Sequence, residues 1–189
     1  MVALSAGAQD PEFGYREGRC VNAEGRTGLN PGRLGECGGL RAADLRDRDL
    51  SRLNLAGADL NSALLHRTSL QGAILRGAQL KNAELESADL RRTDLRASQL
   101  DRAKLLGADL READLQGARL VRAVLTNAIL RNAKLGRADL QSADLRGADL
   151  TDADLAGAVL RGASFDSRTL LPFSLDASEA QRRGMVYRP

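Results

Sequence analysis

The chain has 189 residues with 28 basic and 25 acidic side chains, which leaves a net charge of +3 and room for one or two domains. Aromatic residues make up only 3% of it and tryptophan is absent, which is unusual for a globular core. No apolar run approaches the length of a membrane span, so the composition argues against a transmembrane protein.

Residues 1–19 carry no periodicity, and we expect them to be flexible or to be the remnant of a secretory signal. The short apolar start and the small residues Ala6 and Ala8 are typical of the end of such a signal. The charged beginning and most of the apolar core of a signal are missing, so an artificial or disordered start is the alternative.

Residues 20–39 are rich in glycine and predict an irregular N-terminal cap. The two cysteines of the chain, Cys20 and Cys37, bracket this segment and are candidates for a disulfide bond. Closing a loop of that size contributes about 3 kcal/mol in the chain-entropy estimate. A disulfide would indicate an oxidising compartment, and two reduced cysteines in a cytosolic protein are the alternative.

Residues 40–170 repeat with a period of five. Leucine occupies every fifth position from Leu40 to Leu160, Phe165 takes the next position and Leu170 the one after. A small residue, usually alanine, stands two positions before nearly every leucine, and Asp most often stands between them. A period of five fits neither a helix nor a strand, so each unit must contain a turn.

Four such units can close a coil of 20 residues, with one leucine and one alanine per side filling a slim interior. Successive coils would then stack as parallel ladders about 4.8 Å apart. The remaining positions point outward, and the glycines that often follow two places after the leucine predict corners with positive φ.

The Ala-Asp/Asn-Leu-X-X units resemble the pentapeptide repeat family. The resemblance implies an all-β solenoid, a right-handed quadrilateral parallel β-helix of about six coils. Arg48 and Leu53 replace the small inward residue in the first coil, where we expect the coil to be distorted or open because a buried arginine would lack a partner.

Residues 171–189 end the period and predict a C-terminal cap. Ser178 followed by Gln181 is a capping box and Gly184 is a helix stop, so residues 179–183 are expected to form a short helix. In the pentapeptide repeat family, aromatic residues of the C-terminal coil can form a dimer interface. The cap would compete for that surface, which favours a monomer over an end-to-end dimer.

The outer surface offers few candidate sites. Like charges stack 20 residues apart, as in Arg91, Arg111 and Arg131, whereas opposite charges stand two positions apart across the leucine, as in Asp89 and Arg91. This pattern predicts exposed ion pairs of little energetic value. Several outward positions are apolar, and four of them form a candidate partner patch: Leu106, Val121, Val124 and Ile129. Leu106 and Val124 fall on one side of the coil, and the other two fall on the adjoining sides.

We find no catalytic, cofactor or metal constellation in the sequence. His66 is the only histidine and occupies an outward position, so it is interpreted as an ordinary surface residue. The phosphate-loop lysine pattern is missing, and the carboxylates follow the repeat rather than forming an acid–base pair. The repeats carry neither a basic stripe nor surface aromatics, which argues against nucleic-acid binding.

The sequence therefore favours a non-catalytic scaffold or protein-binding rod with an unknown protein partner, exported to the periplasm or beyond, with a cytoplasmic location as the alternative. Some pentapeptide repeat proteins bind DNA gyrase as mimics of duplex DNA, which is the second hypothesis. Mimicry requires a strongly negative rod, whereas residues 40–166 carry 20 basic and 18 acidic side chains.

Overall fold

The computed structural model describes residues 13–16, 19–22 and 40–189, the first two ranges by their backbone alone. Strands β1 (Phe13–Arg16) and β2 (Arg19–Asn22) form an antiparallel hairpin. This hairpin crosses the boundary at residue 19 that the sequence suggested. The remainder of residues 1–39, including Cys37, lies outside the described residues.

Each five-residue unit forms one short side and one corner. The small inward residue and the leucine point into the coil, and the residue between them, here called the middle residue, points outward. Two corner residues follow the leucine. The N–H of the next small residue donates to the carbonyl of the leucine, as Ala73 does to Leu70 at 2.9 Å. The second corner residue has positive φ, as in a type II turn.

Glycine holds eight of these left-handed corners, as predicted, with φ between 63° and 73°. Another 17 are held by residues with a side chain, at φ of 54° to 60°. The fold therefore tolerates the left-handed strain at most of its corners, because the turn closes a hydrogen bond and the coils above and below fix it.

Four units complete a coil, because each middle residue forms a parallel bridge with the residue 20 positions later, from Asp44 with Leu64 to Asp144 with Ser164. Backbone hydrogen bonds continue this ladder, as in the donation from Leu110 N–H to Ile129 O at 2.7 Å. This geometry confirms the predicted stacking of residues 20 apart. From Leu55 to Ala163 the four sides are filled from within by leucines and alanines that are at most 7% exposed, whereas Ala43 and Leu53 of the first coil are only partly buried.

Three polar residues take the place of the inward alanine and are fully buried: Thr68, Thr93 and Ser98. Each hydroxyl donates to a backbone carbonyl, at 2.7 to 3.0 Å. The interior therefore accepts a small hydroxyl because a carbonyl lies within reach.

Of the two alternatives that we expected for the first coil, distorted or open, the open one is wrong, because the coil keeps its ladder. Asp49 bridges Ser69, and the Arg48 carbonyl accepts from Ser69 N–H at 2.9 Å. The Arg48 side chain is exposed rather than inward, so its charge stays in solvent. The distortion is a lengthening of two turns: the distance from Arg48 N to Leu45 O is 3.3 Å and that from Leu53 N to Leu50 O is 3.4 Å.

The expectation that Leu170 points inward is wrong, because the register slips by one residue after Phe165. Asp149 bridges Leu170, 21 positions later, and Leu170 is 50% exposed. Leu171 packs partly buried against the core instead. Thr169 lies at the slip, where its hydroxyl oxygen accepts from Asp166 N–H at 3.0 Å and from Gly147 N–H at 3.2 Å.

The C-terminal segment packs on the last coil. Helix α1 spans Ala177–Arg182, and strand β4 (Val186–Tyr187) pairs in parallel with β3 (Ser164–Phe165). The helix begins earlier than predicted because Asp176, not Ser178, is its N-cap and accepts from Glu179 N–H at 2.7 Å. Gly184, with φ of 82°, ends it as predicted.

Candidate functional site

The Asp of the repeat has a structural role at the corner that follows it. Every middle residue that is Asp or Asn accepts a hydrogen bond from the backbone N–H two residues later, at 2.9 to 3.3 Å. This local bond is an Asx turn, which only a short carboxylate or amide side chain can make. The recurrent Asp therefore serves the fold before it serves any surface function.

Where the first corner residue is arginine, it also clasps this Asp. Arg96 donates through Nε and Nη2 to the two carboxylate oxygens of Asp94, at 2.8 and 2.7 Å. Hydrogen bonds from Arg96 lower the pKa of Asp94, and those from Arg46 lower the pKa of Asp44 to about 2. The predicted alternation of charge is thus a set of local, mutually neutralising pairs.

One side of the coil departs from this arrangement over four successive coils. We call it the His66 side; its inward leucines run from Leu45 to Leu145 in steps of 20. Its first and sixth coils carry the Asp–Arg pair, at Asp44–Arg46 and Asp144–Arg146. The middle residues between them are Leu64, Glu84, Lys104 and Val124.

The predicted partner patch lies partly on this side. Leu106 is 44% exposed, and Val124 is half-buried and bridges Lys104, so both belong to the His66 side. Val121 and Ile129 are also half-buried but lie on the two adjoining sides. The four residues therefore share no single flat surface, and their role as a patch stays a prediction.

A cluster that sequence reasoning missed lies next to Leu106 on the same side. His66 Nε2 is 2.8 Å from Glu84 Oε2, and His66 Nδ1 is 3.0 Å from Glu86 Oε2. The three side chains are between 24% and 28% exposed. The stacking of residues 66 and 86 was visible in the 20-residue period, but the diagonal contact with Glu84 appears only when adjacent coils are laid side by side.

The two carboxylates of this cluster have different partners. Lys104 Nζ lies 2.6 Å from Glu84 Oε1, and the hydrogen bonds from Lys104 and then from His66 lower the pKa of Glu84. Glu86 Oε2 is fully buried and accepts no hydrogen bond within the described residues. Its distance to His66 is that of an ion pair without hydrogen-bond alignment.

The candidate disulfide falls largely outside the described residues. Cys20 lies in β2, where its backbone is opposite Tyr15, but its side chain is not described, and Cys37 lies outside the described residues. The disulfide therefore stays a prediction.

The repeats determine the family. The sequence model of pentapeptide repeats matches residues 40–77, 78–117, 108–147 and 138–167, in eight copies. The chain belongs to the pentapeptide repeat family. Its fold is the right-handed quadrilateral β-helix, and proteins of this family are generally non-enzymatic scaffolds.

Solved structures of the family are similar to this chain. A pentapeptide repeat protein from the thylakoid lumen of Arabidopsis thaliana is 29% identical, with 60% of this chain and 74% of that chain covered and a TM-score of 0.45. HetL, involved in heterocyst differentiation regulation in the cyanobacterium Nostoc sp. strain PCC 7120, is 38% identical, with 64% and 65% covered and a TM-score of 0.36.

Full-length QnrB1, a plasmid-mediated fluoroquinolone resistance protein, is 16% identical, with 77% of this chain and 84% of that chain covered and a TM-score of 0.39. The matched stretch spans slightly less than two thirds of HetL. No curated protein matches the chain. With TM-scores below 0.5, none of these likenesses supports an inference about function.

Among the described residues, no helix has both the length and the apolar character needed to cross a membrane.

Proposed function

We propose that this protein is a non-catalytic rod of about six coils that binds a protein partner through its His66 side. The observation that carries the proposal is the stretch of four successive coils on that side without a capping Asp or Asn. It is the longest such stretch on any side between residues 40 and 160.

The fold itself gives no reason for this stretch. Leu64 and Val124 have no side-chain acceptor, so they cannot close the Asx turn that Asp closes elsewhere. Leu106 leaves 44% of its surface in solvent at a corner where arginine forms an ion pair in other coils. Exposed apolar side chains beside charged ones are typical of the centre and rim of a protein interface.

A photo-crosslinking pair tests the proposal. Leu106 and Gln116 are both exposed first corner residues of the same coil, but Gln116 lies on the opposite side. Each is replaced in turn by p-benzoylphenylalanine, and the protein is irradiated in its native host. We expect one discrete protein adduct from position 106 and none from position 116. Equal labelling from both positions, or no adduct from 106, would contradict the proposal.

The same experiment addresses the gyrase hypothesis. The balanced charge of the rod, with 20 basic and 18 acidic side chains in residues 40–166, disfavours mimicry of duplex DNA. An adduct with a gyrase subunit from position 106 would instead support that hypothesis. A supercoiling assay with purified gyrase would then show whether the rod protects the enzyme.

The proposal extends to the ends of the rod and to its location. Met185 and Leu175 are buried, and Arg183 Nη2 donates to Ala158 O at 2.7 Å, which supports a C-terminal cap and a monomer. Light scattering at the elution peak should give the mass of one chain. Export and a Cys20–Cys37 disulfide rest on the sequence alone, and the intact mass of the unreduced native protein tests both.

A further inference from the structure

The cluster on the His66 side combines three side chains that together can ligate a metal. His66, Glu84 and Glu86 each offer one ligand atom, and these atoms lie within 4.8 Å of one another. The side chains are three-quarters buried, so backbone and neighbours restrict them while one face stays open to solvent. Small rotations would bring the three atoms to about 2.0–2.2 Å from one ion.

A second observation points to a ligand at the same place. Glu86 Oε2 has no contact with solvent and accepts no hydrogen bond in the described part of the chain. A buried carboxylate oxygen that accepts no hydrogen bond is costly and calls for an ion, a water or a proton. This oxygen lies 3.0 Å from His66 Nδ1, so it faces the cluster rather than the interior of the coil.

We propose that His66, Glu84 and Glu86 form a binding site for a divalent transition-metal cation of the zinc class. One imidazole nitrogen and one oxygen from each carboxylate would be the protein ligands, and water would complete the coordination on the open face. Imidazole favours zinc, copper, iron and nickel, whereas an all-carboxylate site would favour magnesium, calcium or manganese.

The surrounding charges suit one cation. With neutral imidazole, the two carboxylates outweigh the single charge of Lys104, which contacts Glu84 Oε1 at 2.6 Å and leaves Oε2 toward the histidine. The other nearby arginines are engaged elsewhere, Arg46 with Asp44 and Arg67 with Asp47. The site is independent of any protein partner, because the three ligands come from this chain alone.

The test uses the full chain without an affinity tag, after chelator treatment. His66 is the only histidine, so ¹⁵N spectra of the imidazole report this site alone, whatever the cysteines bind. We expect stoichiometric Zn²⁺ to shift one imidazole nitrogen. Unchanged imidazole signals at millimolar Zn²⁺ would overturn the proposal.

Calorimetry with Zn²⁺ on matched variants separates a built site from general attraction. E84Q and E86Q should each lower the affinity at least about 10-fold. In the control E112Q, the lost carboxylate is exposed and pairs with Arg92 of the neighbouring coil, as Glu84 pairs with Lys104. E112Q should leave the affinity for Zn²⁺ unchanged. The proposal would be overturned if E86Q and E112Q bound Zn²⁺ with equal affinity, or if Mg²⁺ occupied the site as readily as Zn²⁺ does. Circular dichroism and the thermal midpoint verify that each variant is folded.

Discussion

The His66 side and the side opposite to it are built on the same kind of buried leucine row and differ mainly in their outward residues. On the opposite side, here called the Asp94 side, Asp94, Asp114 and Asp154 each accept the N–H of their own corner. On the His66 side, the corresponding positions hold Leu64, Glu84, Lys104 and Val124 across four coils. The leucines beneath both sides are buried to the same degree.

This difference separates what the fold requires from what it leaves free. An inward leucine recurs on every side and is usually preceded by a small inward residue, because all four sides enclose the same core. The middle Asp is favoured but dispensable, since the ladder hydrogen bonds continue through Lys104 and Val124 without it. The outward residues of one side can therefore change for a function while the ladder hydrogen bonds stay in place.

The largest expected effect comes from breaking the interior that both sides share. Leu110 is fully buried, and L110K would place an unpaired charge in the narrow interior of the coil. We expect a loss of about 4–5 kcal/mol or more and collapse of the fold. The control L106K changes an exposed leucine and should remain folded. Native-like circular dichroism of L110K would show that the leucines do not form the core.

A smaller effect is expected at the register slip after Phe165. Asp166 is 7% exposed and accepts from Gly147 N–H, from Arg168 and from the Thr169 hydroxyl. Burial alone would raise the pKa of Asp166, but these hydrogen bonds lower it overall. D166A should lower the urea midpoint more than D94A does. The midpoint of D166N should lie between those of D166A and the wild type. Equal midpoints for D166A and wild type would mean that the slip needs no carboxylate.

On the Asp94 side, the Asx turn can be removed alone. D94A should cost about 1 kcal/mol, as the loss of a helix N-cap does, since both leave a backbone N–H without its acceptor. D94N should cost less than half of that, because Asn54 makes the same bond to Ala56 N–H at 3.1 Å. Urea unfolding measures both. If D94N costs as much as D94A, the ion pair with Arg96 outweighs the turn.

Acid should destabilise the coil most where Asp residues pair with arginine. The arginine bonds lower the pKa of Asp89, Asp94 and Asp144 in the folded chain, below the unfolded value of about 3.9. Their stabilisation is therefore complete above about pH 4 and is lost as pH falls through the folded values. We expect a flat urea midpoint from pH 8 to 5 and a decline below pH 4. D94N should reduce the slope of that decline.

Sequence reasoning predicts the interior well, because a period of five with one leucine allows only one kind of coil. The change of register at Leu170 could not be predicted, because Leu170 and Leu171 are adjacent and either one can continue the pattern. The helix begins before the predicted residue because Asp176 and Ser178 are both good caps, and Asp176 is the one that accepts from Glu179 N–H. The His66 cluster could not be predicted from the 20-residue period, because the contact between His66 and Glu84 runs diagonally between coils.

The most direct test of this account restores the turn on the His66 side. In the double variant Leu64→Asn and Val124→Asn, the new amides can accept from His66 N–H and Thr126 N–H, as Asn54 accepts from Ala56. The account predicts a free energy of unfolding within about 1 kcal/mol of wild type, or higher, together with loss of crosslinking from position 106. A loss of about 3 kcal/mol or more would show that these side chains serve the fold, and would contradict the account.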